Sequence, residues 1–141
     1  MASPDNATQS YLYRVKMDGK SKAERLSPAD ESGTHTYDLS TNGMYASHGF
    51  SNANTDPVED WVSLPKHKVI KTEEQKNSRF QMPHVDMFKI TTDEGITMDA
   101  WMVKPTNFDS TKKYPVVFQV YTEPASQTVI DRYGVGHNAL Y

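Results

Sequence analysis

The sequence predicts a mainly β chain, a meander of short strands within a larger all-β architecture, and three observations lead there. Apolar and polar residues alternate with period two through most segments. Turn-forming pairs such as Asp18-Gly19 and Asn42-Gly43 separate those segments at short intervals. Eight Tyr, five Phe and two Trp supply side chains that favour strands and repay chain ordering when buried.

The elements follow in order. Tyr11, Tyr13, Val15 and Met17 fall on one face of a first strand, with Leu12, Arg14 and Lys16 on the other. Asp18-Gly19 tolerates positive φ and predicts a tight hairpin into a short strand at Ala23-Glu24-Arg25-Leu26. Ser27-Pro28-Ala29-Asp30 reads as a turn, because proline presets φ and Ser or Asp bonds nearby backbone. Two further strands, Thr34 to Ser40 and Met44 to Phe50, are joined across Asn42-Gly43. In the next strand, Val58, Val62 and Leu64 alternate with Glu59, Trp61 and Ser63.

The middle of the chain is polar. Thr72-Glu73-Glu74-Gln75 has capping-box form, which predicts a short helix closed by Pro83, and Lys71 to Pro83 reads as a connector between two units. Alternation then resumes: Phe88 and Ile90 oppose Val85 and Met87, Asp93-Glu94-Gly95 turns, and Ile96, Met98, Ala100 and Met102 oppose Trp101 and Val103. After a polar loop from Pro105 to Lys113, Tyr114-Pro115-Val116-Val117-Phe118-Gln119-Val120-Tyr121 is nearly continuous in apolar residues, the pattern of a strand buried on both faces. Such a strand needs covering layers, and no helical pattern follows it, so the second unit is expected to be incomplete.

Composition narrows the function classes. Among 141 residues, 36% are hydrophobic and 23% charged, with net charge −3 and no basic tract, which argues against electrostatic nucleic-acid binding. Mean hydropathy is −0.72. No run approaches the length of a membrane-spanning helix, and the first residues lack the pattern of a signal peptide. Cysteine is absent, so disulfides, thiolate metal sites and cysteine nucleophiles are excluded.

Several motifs have a plainer reading than their formal match. Gly49-Phe50-Ser51-Asn52-Ala53 nearly matches a nucleophile elbow, but it leads into a polar loop and another strand instead of a helix. Gly134-Val135-Gly136-His137-Asn138-Ala139 fits a dinucleotide fingerprint in form, without the strand, helix and acidic residue that give it meaning. His35, His48, His67, His84 and His137 are scattered without zinc-binding spacing, so no metal and no cofactor is expected. Asn6-Ala7-Thr8 is a glycosylation sequon, informative in a secreted eukaryotic protein. Tyr and Trp at alternate strand positions read as core or inter-sheet packing.

The run from Tyr114 to Gln127, entered through Lys112-Lys113, resembles the start of the catalytic domain in the prolyl oligopeptidase group, particularly the dipeptidyl-peptidase IV family. Phe88 to Gly95 and Met98 to Pro105 look like that family's opening hairpin, while Tyr11 to Val15 and Leu39 to Ala46 are similar to the last blade of its β-propeller. The resemblance implies the last strands of a propeller blade in residues 1–70, a connector in 71–83, and the first strands of an incomplete α/β-hydrolase domain in 84–141. It implies a parent serine exopeptidase that releases X-Pro or X-Ala dipeptides from peptide substrates. There the tyrosine heading the loop after the apolar strand, here Tyr121, serves the oxyanion hole. A phenol is a neutral donor at pH 7 and stabilises charge that develops in the transition state.

The sequence departs from the family in two ways. Thr122-Glu123 replace a small pair after the tyrosine, adding a charge near the site. The family's Ser-His-Asp triad, and the acidic residues that hold the substrate's amino terminus, have no counterpart here, so this piece is expected to be inactive alone. By family analogy the parent is periplasmic or extracellular, and open strand edges predict self-association. The competing reading is a self-contained, non-catalytic β-rich interaction domain, which requires the strand at Val116 to Tyr121 to be covered by this chain. A third is a carbohydrate-binding sandwich using Trp61 or Tyr37 on one flat face.

Overall fold

The computed structural model describes residues 1–74, 82–120 and 127–135. Among them the regular structure is strand, with no helix. Eight strands follow in order: β1 (Tyr13–Arg14), β2 (Glu24–Arg25), β3 (Thr34–Leu39), β4 (Tyr45–Asn52), β5 (Thr55–Ser63), β6 (Lys68–Thr72), β7 (Val85–Thr91) and β8 (Thr97–Val103). β3 to β6 form an antiparallel four-stranded meander in sequence order, flanked by the two-stranded pairs β1–β2 and β7–β8.

The meander follows from its turns. Gly43 sits at φ 66°, its N–H donating to the Ser40 carbonyl at 2.8 Å, and this closes the β3–β4 hairpin. The turn sets the register, with His35 opposite Phe50 and Tyr37 opposite His48. In β5, Asp60 pairs with His48 and Val62 with Ala46. One face therefore carries His35, Tyr37, Ala46, His48, Phe50, Val58, Asp60 and Val62, and the other carries Thr36, Ser47, Ser51, Trp61 and Ser63.

The first face is covered by residues 10–31. Leu12 N–H donates to Ser27 Oγ at 2.8 Å, the Tyr37 hydroxyl donates to the same oxygen at 3.1 Å, and the Arg25 guanidinium lies 3.5 Å from the Tyr11 ring centroid. The Arg25 side chain donates to the carbonyls of Ser27, Pro28 and Glu31. At Gly33 (φ 153°) a β-carbon would meet the Ser51 carbonyl oxygen at 2.5 Å, so this close approach requires glycine.

Several strands differ from expectation. The first strand is confined to Tyr13–Arg14: Ser10 and Tyr11 bridge instead to Thr34 and Ala2, and Val15 and Met17 are exposed. Thr72 closes β6, paired with Asp60, and residues 75–81, where most of the helix expected before Pro83 would fall, lie outside the described residues. Trp61 is half exposed on the outer face, its indole N–H donating to Glu73 Oε1 at 3.0 Å, and is not a core residue.

The β7–β8 hairpin forms around Gly95 (φ 83°), as the Asp93-Glu94-Gly95 turn predicts, with Phe88 paired with Ala100 and Ile90 with Met98. It is tied to the meander by Asn54, whose amide donates to the Val85 carbonyl at 3.0 Å and accepts from the Val85 N–H at 2.8 Å. Its Phe88, Ile90, Met98 and Met102 face stays exposed.

Candidate functional site

Two places carry candidate chemistry: the chain leading to residue 121, and the covered face of the meander.

The approach to residue 121 is built locally. Asp109 accepts from Thr111 N–H at 3.0 Å and Thr111 Oγ1 at 2.7 Å, and these bonds, the side-chain one first, hold its carboxyl below the usual range. Asp109 N–H donates to the Tyr114 hydroxyl at 3.0 Å, and the Tyr114 ring stacks on Phe108 at 5.1 Å. Beyond this knot residues 115–120 adopt no strand, and Val116, Val117, Phe118 and Val120 are 70–89% exposed. The expected doubly buried strand is thus neither paired nor covered by the described residues. The reason is physical: a strand needs a neighbour's backbone for its N–H and C=O groups, and none is offered among the described residues.

On the far side the chain is fixed again. Gln127 Nε2 donates to the Ala7 carbonyl at 2.7 Å. Asp131 is the main anchor: its carboxylate accepts from Gln9 Nε2 and from Ala53 N–H, both at 2.9 Å, and its N–H donates to the Thr8 carbonyl at 2.7 Å. Its carbonyl accepts from Thr34 Oγ1 at 2.8 Å. Tyr121, the expected oxyanion-hole donor, lies outside the described residues, as do Thr122 and Glu123.

The remaining motifs resolve simply. Ser51 lies within β4, its Oγ accepting from Tyr133 N–H at 3.3 Å, and no strand-to-helix elbow surrounds it. Asn6 of the sequon accepts from Thr8 N–H at 3.0 Å and Thr8 Oγ1 at 2.8 Å, a turn that buries Thr8. Gly134 falls in a turn at residues 133–135, while Gly136 and His137 lie outside the described residues. Tyr37 lies on the covered face of the meander, while Trp61 is half exposed on the outer one.

What sequence spacing hides is a histidine cluster. His35 and His48 are 1% and 2% exposed and, with Val62, are the largest fully buried side chains among the described residues. His35 Nδ1 lies 2.9 Å from His48 Nε2, and His35 Nε2 lies 3.0 Å from the Glu31 carbonyl oxygen. His67, at φ 50° in the turn between β5 and β6, sets its ring edge-on to His48 at 4.6 Å. Tyr11 and Phe50 pack against His35 at 5.3 and 4.8 Å, and Tyr37 stacks on His48 at 4.6 Å.

The electrostatics follow from burial. Removal from water lowers the His48 pKa to about 3, with His67 and His35 opposing a second positive charge. Burial likewise lowers His35 and His67. It pushes the Tyr37 phenol up to about 12. Burial first, then the neighbouring Asp30 and Asp60, raises Glu31. Four buried atoms in this region have no hydrogen-bond partner: Glu31 Oε2, His48 Nδ1, Asp60 Oδ1 and His67 Nε2. Sequence reasoning missed the cluster, although the Asn42-Gly43 turn and period-two facing already place residue 48 opposite residue 37.

With this geometry in hand, similarity to known proteins can be placed. No protein-family model matches the chain. The chain is 29% identical over 143 residues to the probable dipeptidyl-aminopeptidase B of Arthroderma otae, covering 96% of this chain and 15% of that protein. It is 31% identical over 137 residues to the probable dipeptidyl-aminopeptidase B of Trichophyton verrucosum, covering 92% of this chain and 15% of that protein. Fold and likeness together make the chain similar to a β-rich segment of dipeptidyl peptidases. More particularly, the structure resembles Porphyromonas gingivalis dipeptidyl peptidase 4, with TM-score 0.76 and 26% identity over 90% of this chain and 18% of that one. The dipeptidyl-peptidase IV resemblance read in the sequence therefore holds over nearly the whole chain, which spans about 15% of the length of these curated relatives.

Proposed function

We propose that this chain acts as one segment of a serine exopeptidase that releases X-Pro and X-Ala dipeptides from peptide substrates. Residues 1–70 supply the last propeller strands, 71–83 the connector, and 84–141 the opening strands of the α/β-hydrolase domain, with Tyr121 donating to the oxyanion hole. One observation carries this reading: the likeness to dipeptidyl peptidases covers 96% of this chain in sequence and 90% in structure, so the meander and the exposed apolar run fall within the same match. The exposed Val116 to Val120 segment supports it further, because a strand of a layered hydrolase finds its neighbours in the rest of that domain.

The test is a chimera in which this chain replaces the matching segment of the Trichophyton verrucosum relative. It is expected to hydrolyse a Gly-Pro chromogenic substrate. Tyr121→Phe in that chimera is expected to lower kcat about 100- to 1,000-fold with KM little changed, the usual loss for one oxyanion donor. A folded chimera with no hydrolysis would overturn the reading, and undiminished kcat in Y121F would remove Tyr121 from it. The chain by itself is expected to give no hydrolysis, because it holds no triad; turnover that survives contaminant controls would contradict this. Strands β6 and β8, which stand at sheet edges among the described residues, also predict self-association of the isolated chain. A monodisperse monomer in light scattering would count against that.

A further inference from the structure

The histidine cluster poses a problem in counting protons. The His35 and His48 rings are inclined by 19°, and the 2.9 Å gap between facing nitrogens accounts for most of the 5.2 Å between their centroids. The rings therefore lie end to end in nearly one plane, each aiming an in-plane nitrogen at the other. His35 Nε2 faces a carbonyl oxygen, which can only accept, so it must carry a proton. In a neutral ring this leaves Nδ1 bare, and His48 Nε2 must donate to it. His48 Nδ1 is then bare as well, yet the group it faces is the Asp60 carboxylate, 3.9 Å away. Reversing both tautomers moves the mismatch to the Glu31 carbonyl.

Two protons serve the two contacts that lie within hydrogen-bond distance, and the third, at 3.9 Å, sets a bare nitrogen towards a carboxylate with no proton between them. His48 Nδ1, Asp60 Oδ1 and Glu31 Oε2 are all buried without a partner. A cation among them would compensate these acceptors.

We propose that His35 Nδ1, His48 Nε2 and the Glu31 carboxylate form a binding site for a divalent transition-metal ion of the zinc type. Ligand atoms of these three residues lie within 4.8 Å of one another. Tetrahedral zinc, with bonds of about 2.0–2.2 Å, places ligand atoms roughly 3.3–3.5 Å apart with their lone pairs converging on the ion, so the two head-on nitrogens part by about half an ångström, the rings swing out of line, and the glutamate closes in. Two imidazoles and one carboxylate suit such an ion, and a water completes the four positions.

The ion closes the hydrogen-bond account at both ends. With metal on His35 Nδ1, Nε2–H donates to the Glu31 carbonyl. With metal on His48 Nε2, Nδ1–H donates to Asp60. A carbonyl and a carboxylate behind the ligating imidazoles are the outer partners that metal-binding histidines ordinarily have. Glu31 Oε2 gains the ion itself. The surrounding rings of Tyr11, Tyr37, Phe50 and His67 keep the imidazoles neutral, the form that ligates. The bound ion would join the loop at residue 31 to β3 and β4, on the opposite side of the hairpin from the Ser51 and Asp131 contacts.

The experiment uses the full chain, stripped with chelator and titrated with Zn²⁺ by calorimetry and with Co²⁺ by visible absorption. One ion per chain is expected, with a raised Tm and the absorption of a tetrahedral cobalt site. Asp60→Asn should weaken binding about 10- to 100-fold, as for other outer partners, and His84→Ala, on the exposed surface, should leave it unchanged. If His35→Ala or His48→Ala unfolds the chain, Glu31→Gln changes a partly exposed side chain and should still weaken binding at least 100-fold. No stoichiometric binding, or binding unaffected by E31Q, would overturn the proposal. So would metal-free ¹⁵N spectra showing an imidazolium in the cluster at neutral pH with no response to zinc, since a proton would then supply the missing charge.

Discussion

The meander β3–β6 and the stretch from residue 82 to 120 use side chains in opposite ways. In the meander, polar rings are buried: His35 and His48 fill the space that Leu or Phe would fill in an ordinary core, and residues 10–31 seal them. In the later stretch, apolar side chains are displayed: Phe88, Ile90, Met98 and Met102 line an open hairpin face, and Val116 to Val120 run exposed. The first region is closed by its own chain, and the second presents surfaces that the described residues leave uncovered. Hydrophobicity alone therefore predicts burial in neither region. Covering layers decide it, and they come from distant residues such as Leu12, Ser27 and Asp131.

The comparison can be broken by substitution. Val62→Asp would place a carboxylate in the closed face without a partner, costing at least about 4 kcal/mol and removing the cooperative unfolding transition of the meander. Retention of a sharp melting transition would show that this face is not a core.

Acid should act on the same region. His48 in the folded, metal-free chain titrates at about 3, against about 6.5 unfolded, so the unfolded chain takes up the proton first. Stability present above about pH 6.5 is therefore lost as pH falls towards 3. At the alkaline end Tyr37, pushed up to about 12, contributes stability that is lost as pH rises from about 10 to about 12. A melting temperature flat between pH 7 and pH 4 would contradict the burial of neutral histidine.

Asp131→Ala tests how the closed region holds the chain beyond residue 126. It leaves Ala53 N–H and Gln9 Nε2 without their acceptor, a loss of about 1–3 kcal/mol. Unchanged stability by denaturant titration would make the anchor incidental.

The smallest effect is expected in the open region. Phe118→Ser should change the stability of the isolated chain by less than about 0.5 kcal/mol, because its ring already faces solvent. A larger loss would mean that the apolar run packs within this chain.

Much of the architecture was legible wherever alternation met a decisive turn. Asn42-Gly43 and Asp93-Glu94-Gly95 marked the β3–β4 and β7–β8 hairpins, and alternation separated Phe88 and Ile90 from Val85 and Met87. Strand β6 was not, since Lys68 to Thr72 is exposed throughout and becomes a strand by pairing with β5. Thr72 itself ends β6, and the helix expected between it and Pro83 falls mostly outside the described residues. The histidine cluster stayed hidden because His35, His48 and His67 meet through register and a turn, and spacing along the chain records neither. Tyr121 was reached through family resemblance, and period-two patterning would have marked it as a strand-end residue and nothing more.

The most direct measurement is amide hydrogen exchange on the isolated chain and on the chimera that places it in a complete peptidase. The account predicts slow exchange in β4 and β5 of both, and fast exchange at Val116 to Val120 in the isolated chain that becomes slow in the chimera. Slow exchange at Val116 to Val120 in an isolated monomeric chain, or fast exchange there in an active chimera, would contradict it.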